Sequence, residues 1–298
     1  MTPVLRIAWK EAQEAARSRW LWGAALLLAT LPLLISAVGL GIGGAIAPHG
    51  LARTTASMVS LAIYLVPLVG IQLAHGSVVA EAERGTLWIL LAQPLPRWKI
   101  LAGKFAGLGA LLAVLVGGSF SLAGALVAAR GGWAGTGDYA AFVVSSIALG
   151  LSFVGIGLCL SAFARDRAQA VVSGIALWLF FSLVLDLLLL LAFAALSAWL
   201  VAPGYSPSVE MVHRELASGF TGDEARFPWM SALVLLNPTD VFRLWNVLRV
   251  PEMRSALALT RSLPPWLGSP WTLAICSLAW IGAPLALAAK RFARVEPG

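Results

Sequence analysis

Glu81-Ala82-Glu83-Arg84-Gly85-Thr86-Leu87-Trp88-Ile89-Leu90-Leu91-Ala92-Gln93-Pro94-Leu95-Pro96-Arg97, running on to Lys104, is a polar and charged island between two long apolar runs. Its order is informative. Acid residues come first, then Arg-Gly-Thr, then a short amphipathic run closed by Pro-x-Pro-Arg. Thr86 is placed to cap a helix, because its hydroxyl can satisfy first-turn amides. Leu87, Leu90, Leu91 and Leu95 supply an apolar face, and Pro94 and Pro96 stop the helix. The stretch predicts a short helix lying along a membrane surface rather than crossing it. An ordinary solvated loop is the alternative.

Outward from the island the chain is apolar in both directions. Of its 298 residues 59% are hydrophobic and 12% charged, and its mean hydropathy is +0.86; soluble domains carry about 25% charged residues. This is the composition of an integral membrane protein. Thirteen Trp suit interfacial belts. The net charge of +7 does not point to nucleic acid, because the basic residues sit at segment ends, where lipid headgroups meet them. Cys159 and Cys276 both fall in apolar segments, so no disulfide framework is expected. Residues 1–19 are polar and basic, and the apolar run after them is too long for the core of a signal peptide.

Six segments are long enough to span a bilayer core, which takes about 20 residues each: Trp20–Ala47, Ser57–Val79, Leu101–Ala129, Tyr139–Ala164, Ala168–Val201 and Pro270–Ala289. The expected fold is all-α, a single permease domain over residues 1–298. It has six transmembrane helices, an N-terminal amphipathic elbow helix over 1–19 and a helical cap between helices 5 and 6. In the elbow, Leu5, Ala8, Trp9, Ala12 and Ala16 share a face, opposite Arg6, Lys10, Glu14 and Arg17. Lys10 and Glu14 are spaced to pair. Gly103 and Gly107 form a GxxxG, which lets helices approach closely; it is compatible with a dimer.

Lys and Arg near the segment ends set the orientation. With the N-terminus inside, the inner loops and ends hold thirteen of these residues against two in the short outer loops, Arg53 and Arg130. Both termini and the island at 80–104 are therefore expected in the cytoplasm. Residues 202–269 form a periplasmic segment, chopped by prolines into short elements. One helix is expected over Ser208–Ser218. Another starts at Asn237, with Asn237 as N-cap, Pro238 at the first helical position, Asp240 against the dipole, and Val241, Leu244, Trp245 and Leu248 as its apolar stripe.

The chain lacks GxxxxGK[ST], HExxH and GxSxG, so it does not bind ATP as a P-loop protein does. Ser119, Ser121, Ser152 and Ser161 are hydroxyls in apolar segments, but no spacing joins them to His75, the one His at membrane depth. Asp186, within Leu183-Val184-Leu185-Asp186-Leu187-Leu188, is a carboxylate inside a spanning segment and a candidate for a transport pathway. Protonation, or a hydrogen bond to a neighbouring helix, is the structural alternative. Met211 and His213 are a two-ligand fragment suited to soft copper. No other metal-site spacing occurs.

The layout, together with acid-x-x-Arg-Gly-Thr-Leu…Leu-Leu…Pro-x-x-Arg after the second span, resembles the permease subunits of ABC-2-type ABC transporters. That resemblance implies a coupling helix in the island, docked into a groove of a separate ATPase subunit. Glu81, Glu83, Arg84, Gly85 and Thr86 would form contact and hinge, Leu87 to Leu91 (with Leu90) the inserted face, and Arg97 the return to the membrane. It further implies a homodimer with two ATPase subunits, which hold ATP and Mg. This chain would carry no cofactor, do no chemistry and reside in the bacterial inner membrane. Within the family, Leu236–Arg243 is similar to the membrane subunit that serves maturation of the copper site of nitrous oxide reductase. That likeness implies a periplasmic accessory protein, with Asn237, Asp240, Phe242, Arg243 and Trp245 as candidate contacts. An exporter of drug, lipid or peptide on the same scaffold is the alternative, and an intramembrane enzyme the second.

Overall fold

A computed structural model describes residues 2–41, 50–92, 95–133, 135–188, 191, 233–249 and 266–293. The expected helix Ser208–Ser218, with Met211 and His213, lies outside the described residues.

Every regular element among the described residues is helical. Pro3 opens α1 (Pro3–Ala16) from the first helical position, where a missing amide proton is harmless. The long apolar helices follow: α2 (Arg19–Gly41) and α3 (Gly50–Ala74). The chain then makes a turn and two short helices, α4 (Val79–Glu83) and α5 (Thr86–Leu91). Next come α6 (Arg97–Gly131), α7 (Thr136–Phe163) and α8 (Arg167–Leu179), the last continuing through one widened π turn, Phe180–Val184, to Leu188. A 3₁₀ turn (Leu233–Leu236) leads into α9 (Pro238–Arg249), and α10 (Pro270–Ala293) closes the described chain. Among the described residues six helical stretches are long and apolar enough to cross a membrane, and each falls on one of the six expected spans; the expected ends of the first and fifth, toward Ala47 and Val201, lie outside the described residues.

Helix α7 is the centre of the bundle. Its faces carry Phe142, Leu149, Phe153 and Leu158, all buried, against α3, α6 and α10. The α3–α7 contact is possible because both helices present glycines. A Cβ on Gly70 would stand 2.8 Å from the Gly150 carbonyl oxygen, and one on Gly157 would stand 2.9 Å from the Ala74 Cβ. Small residues at such crossings let backbones approach, which is how helices associate where lipid removes the hydrophobic drive.

The GxxxG of α6 has an occupant within the chain. Helix α1 lies across it, so that a Cβ on Gly103 would meet Ile7 at 2.8 Å, and one on Gly107 would run into the backbone of Ala8. The side of α1 that meets the bundle is a different one from the Leu5 and Trp9 face. Ile7 and Glu11 point inward, whereas Leu5 and Trp9 are 53% and 62% exposed. The reason lies in α6: a face of glycines offers a shallow groove that admits a short apolar side chain, and Lys104 beside it offers a cation to the glutamate.

Helix α9 is set into the bundle rather than laid on it. Val241, Phe242, Asn246 and Val247 are buried, while Leu244, Trp245 and Leu248 of the expected stripe are half-buried. The Phe242 ring packs against Phe142 of α7 at 6.3 Å. Asn246 donates to the Ser145 hydroxyl at 3.1 Å and to the Phe242 carbonyl at 2.8 Å. Polar groups sit on the inner face because α7 offers them a partner, and periodicity alone does not register that.

Candidate functional site

The island folds as two short helices around a glycine. Gly85 has φ +73°, a left-handed conformation that L side chains adopt at a cost of about 1 kcal/mol or more. It follows α4 as a terminating glycine does, with its amide bonded to the Ala82 carbonyl at 3.1 Å. Thr86 does not play the expected part. Its hydroxyl donates to the Glu81 carbonyl at 3.3 Å, closing the end of α4. The glycine turn brings that carbonyl within reach, so the hydroxyl serves as donor.

Glu81 holds the island to the rest of the chain. Its Oε1 accepts from Lys10 Nζ of α1 at 2.9 Å, and its Oε2 lies 2.8 Å from Lys104 Nζ of α6. Lys104 is wholly buried, and its ammonium also donates to Glu11 Oε1 at 2.6 Å and to the Ser77 carbonyl at 3.0 Å. Two of its three donors are thus hydrogen-bonded, and Glu81 Oε2 faces the ammonium as a close ion pair without hydrogen-bond geometry. Lys10 adds Glu14 at 3.5 Å, the expected pair along α1. Burial raises the Glu11 carboxyl despite the opposing pull of Lys104. Burial works against the Lys10 ammonium, but the bond to Glu81 prevails and raises its pKa. Glu11, Glu14 and Glu81 bring their oxygens within 4.8 Å of one another, and the two lysines supply the cations that such a cluster needs.

Two further ties fix the island. The Ser161 hydroxyl of α7 accepts from the amides of Val78 and Val79, both at 3.0 Å, and so caps α4 from a neighbouring helix. Glu83 Oε1 accepts from the Arg167 amide at 2.9 Å at the start of α8. Asp166 caps that helix, accepting from the Gln169 amide at 2.7 Å. Ser161 is thus a capping residue, and the His75 ring nitrogen Nδ1 lies 3.0 Å from the Gln72 carbonyl oxygen. Replacing Ser161 by Ala strips two buried amides of their acceptor. We expect a loss of about 1–3 kcal/mol for each group left unpaired, read as a lower melting temperature in detergent with the helix content unchanged.

The leucines expected to insert into a partner divide. Leu87 is buried in the chain's own core and Leu90 packs partly against it. The exposed edge consists of Ala82, Glu83, Arg84, Gly85, Thr86 and Ile89, the last 69% exposed. Leu91 is the last residue of α5. Arg97 returns the chain to the bundle and donates to the carbonyls of Phe292 and Ala293 at 3.2 and 2.9 Å, a cation at the carbonyl end of α10.

A second polar cluster lies at α9. Asn237 Oδ1 accepts from the Thr239 amide at 3.0 Å, the expected N-cap. The π turn in α8 leaves the Phe181 carbonyl open to outside donors, and it accepts from Asn237 Nδ2 at 2.9 Å and Thr239 Oγ1 at 3.1 Å. Asp186 pairs with Arg243 at 2.8 Å, and Arg243 also reaches Asp240 at 2.6 Å. Asn237, Asp240 and Phe242 are buried. Their side chains are turned onto this chain, leaving half-buried Arg243 and Trp245 as the accessible members of the expected partner contact.

Sequence reasoning did not foresee Glu11, or the roles of Lys104 as a buried cation and Ser161 as a cap. A signal existed for the first two. Lys104 sits beside Gly103 on a close-packing face, and Glu11 follows Ile7 by one helical turn.

The family model described as ABC-2 family transporter protein matches residues 5–296. The chain is 36% identical over 305 residues to the "Probable ABC transporter permease protein NosY" of Stutzerimonas stutzeri, covering 99% of both chains. It is 36% identical over 300 residues, with the same coverage, to the protein of that name from Pseudomonas aeruginosa. It is 34% identical over 113 residues to the "Probable multidrug ABC transporter permease YbhR" of Escherichia coli K12, covering 36% of this chain and 28% of that one.

Proposed function

The chain belongs to the ABC-2 family of transporter proteins and is a membrane subunit of an ABC transporter, and on that premise we propose that the 80–104 island is the lever through which an ATPase subunit moves the bundle. The observation that carries this is the pairing of Glu81 with two lysines from different helices. One carboxylate ties the island to α1 through Lys10 and to α6 through Lys104. Displacing the exposed edge at Arg84, Gly85, Thr86 and Ile89 therefore displaces α1 and α6 with it. The left-handed Gly85 is the hinge. Leu87 and Leu90 anchor α5 to the bundle, and Arg84 and Ile89 are the groups that reach the ATPase.

In this reading the island and both termini are cytoplasmic, as the Lys and Arg bias indicates. Helix α1 is an elbow at headgroup level with Leu5 and Trp9 toward lipid. Two copies of this chain work with two ATPase subunits in the bacterial inner membrane. ATP and Mg belong to the ATPase, and this chain performs no chemistry. The segment 202–269 is periplasmic and caps the bundle through α9, with a periplasmic accessory protein as its partner.

The role that fits best is maturation of a periplasmic copper site, that of nitrous oxide reductase. It rests on the resemblance of Leu236–Arg243. The likeness to the NosY permeases, full-length where that to the multidrug permease is partial, favours it over a drug exporter.

The test is coupling. Arg84→Glu and Gly85→Pro are each expected to insert normally but to lose ATPase activity that depends on this subunit. Proline fixes φ near −65° and cannot take the Gly85 conformation. Full activity in both variants would remove the island from the mechanism.

A further inference from the structure

Four of the chain's side-chain cations are held by partners within the chain. Lys10 and Lys104 bond glutamates, Arg97 bonds the end of α10, and Arg243 bonds two aspartates. Lys290 and Arg291, in the last turn of α10, are among the cations that have no such partner. Among the described residues, neither side chain forms an ion pair or hydrogen bond. Both are exposed, and the Arg291 guanidinium lies over the Phe163 ring of α7 at 5.9 Å. Between the ends of α7 and α10 lies an open groove of about 410 Å³ lined by Phe163, Leu287, Lys290 and Arg291. Its walls are apolar, and its polar surface is supplied by the two cations.

The groove does not end at the cations. Leu287 is 54% exposed, and on the same face of α10 Ala283, one turn farther along, is exposed and Trp280, two turns farther, is half-buried. An apolar wall that continues into a bilayer-crossing helix, with two positive charges at its end, fits one kind of molecule on both counts. We propose that this groove binds an anionic phospholipid, with its phosphate between Lys290 and Arg291 and an acyl chain along Phe163 and Leu287. A soluble acidic protein would meet the cations but cannot follow the apolar wall into hydrocarbon. Inorganic phosphate would have no use for the wall. Stacking on Phe163 holds the guanidinium at the groove, so little side-chain freedom is lost when the phosphate arrives. Basic pockets between spanning helices are a recurrent way of holding anionic headgroups. The inference needs α10 to cross the bilayer and is independent of the coupling role of the island.

The test uses the full chain purified in mild detergent with its ATPase subunit, with phosphatidylglycerol or phosphatidylcholine added. Bound lipid is read by native mass spectrometry and by the shift of melting temperature. Phosphatidylglycerol is expected to stay bound and to raise the melting temperature, and phosphatidylcholine to do neither. Lys290→Gln with Arg291→Gln should lower phosphatidylglycerol retention about tenfold or more, while Lys99→Gln with Arg165→Gln, a control of equal charge, retains it. Lys290, Arg291 and Arg165 are exposed and Lys99 half-buried, and the melt in detergent without lipid checks that both variants fold. Equal retention by the Lys290/Arg291 variant overturns the proposal, as does equal binding of phosphatidylcholine. Loss of the ATPase subunit from that variant with lipid retention unchanged also overturns it, by assigning the groove to a protein surface.

Discussion

Lys104→Met is expected to destabilise the chain severely, by on the order of 3–5 kcal/mol, the usual result of removing one partner from a buried ion pair. The side chain that remains is of similar length and apolar, so the loss is electrostatic and does not come from a cavity. Glu11 and Glu81 would then face one another with only Lys10 near, and Lys10 bonds Glu81 from a largely exposed position. Burial already raises the Glu11 carboxyl with Lys104 in place, and without it the shift increases. A carboxyl raised in the folded state contributes stability below its unfolded pKa and loses it as pH rises through the folded value. The variant should therefore melt closest to the parent in acid and farthest from it above the ordinary glutamate range. Adding Glu11→Gln and Glu81→Gln should recover much of the loss, since three neutral polar or apolar groups replace an unbalanced pair of charges. A Lys104→Met protein that melts with the parent at neutral pH would show that the hub holds nothing together.

The six spans were legible because bilayer thickness sets a length and the absence of water sets a composition, and both are properties of a sequence window. The N-cap at Asn237 and the Lys10–Glu14 pair were legible for a similar reason, being local in the chain. What escaped was the identity of partners far apart in sequence. Gly103 and Gly107 announce a close approach but not by which helix, and α1 takes the place that a second copy could have taken. Lys104 counted as one more cation at a segment end, yet it is wholly buried because two glutamates from different elements meet it. Leu87 and Leu90 have the pattern of a docking face, and the bundle they dock against is their own. Thr86 has the residue type of a cap, and the left-handed Gly85 decides which helix end it serves.

Arg243→Ala should come second in effect, at about 2–3 kcal/mol, below Lys104 because Arg243 and Asp186 keep about a third of their side chains exposed and solvent screens them. The deletion leaves Asp186 and Asp240 without their shared cation. Asp240 is already pushed up to about 6, first by burial, with Arg243 opposing and Asp186 reinforcing the shift. Against an ordinary aspartate near 3.9, the sign is that of a raised group: stability is present below about pH 4 and declines as pH rises through about 6. Removing the arginine strengthens that trend, so the deficit of Arg243→Ala should be smallest in acid and greatest near pH 8. Asp186→Asn separates the two roles open to this carboxylate. Its Oδ2 pairs with Arg243 and its Oδ1 accepts from Asn237 Nδ2 at 3.3 Å beside a π turn, all within one chain, which is the position of a clamp between α8 and α9. The expected result is a modestly lower melting temperature with subunit-dependent ATPase activity and transport intact. Lost transport at an unchanged melting temperature would instead give Asp186 a place on the pathway, and Arg243 would then act as its counter-ion along that route.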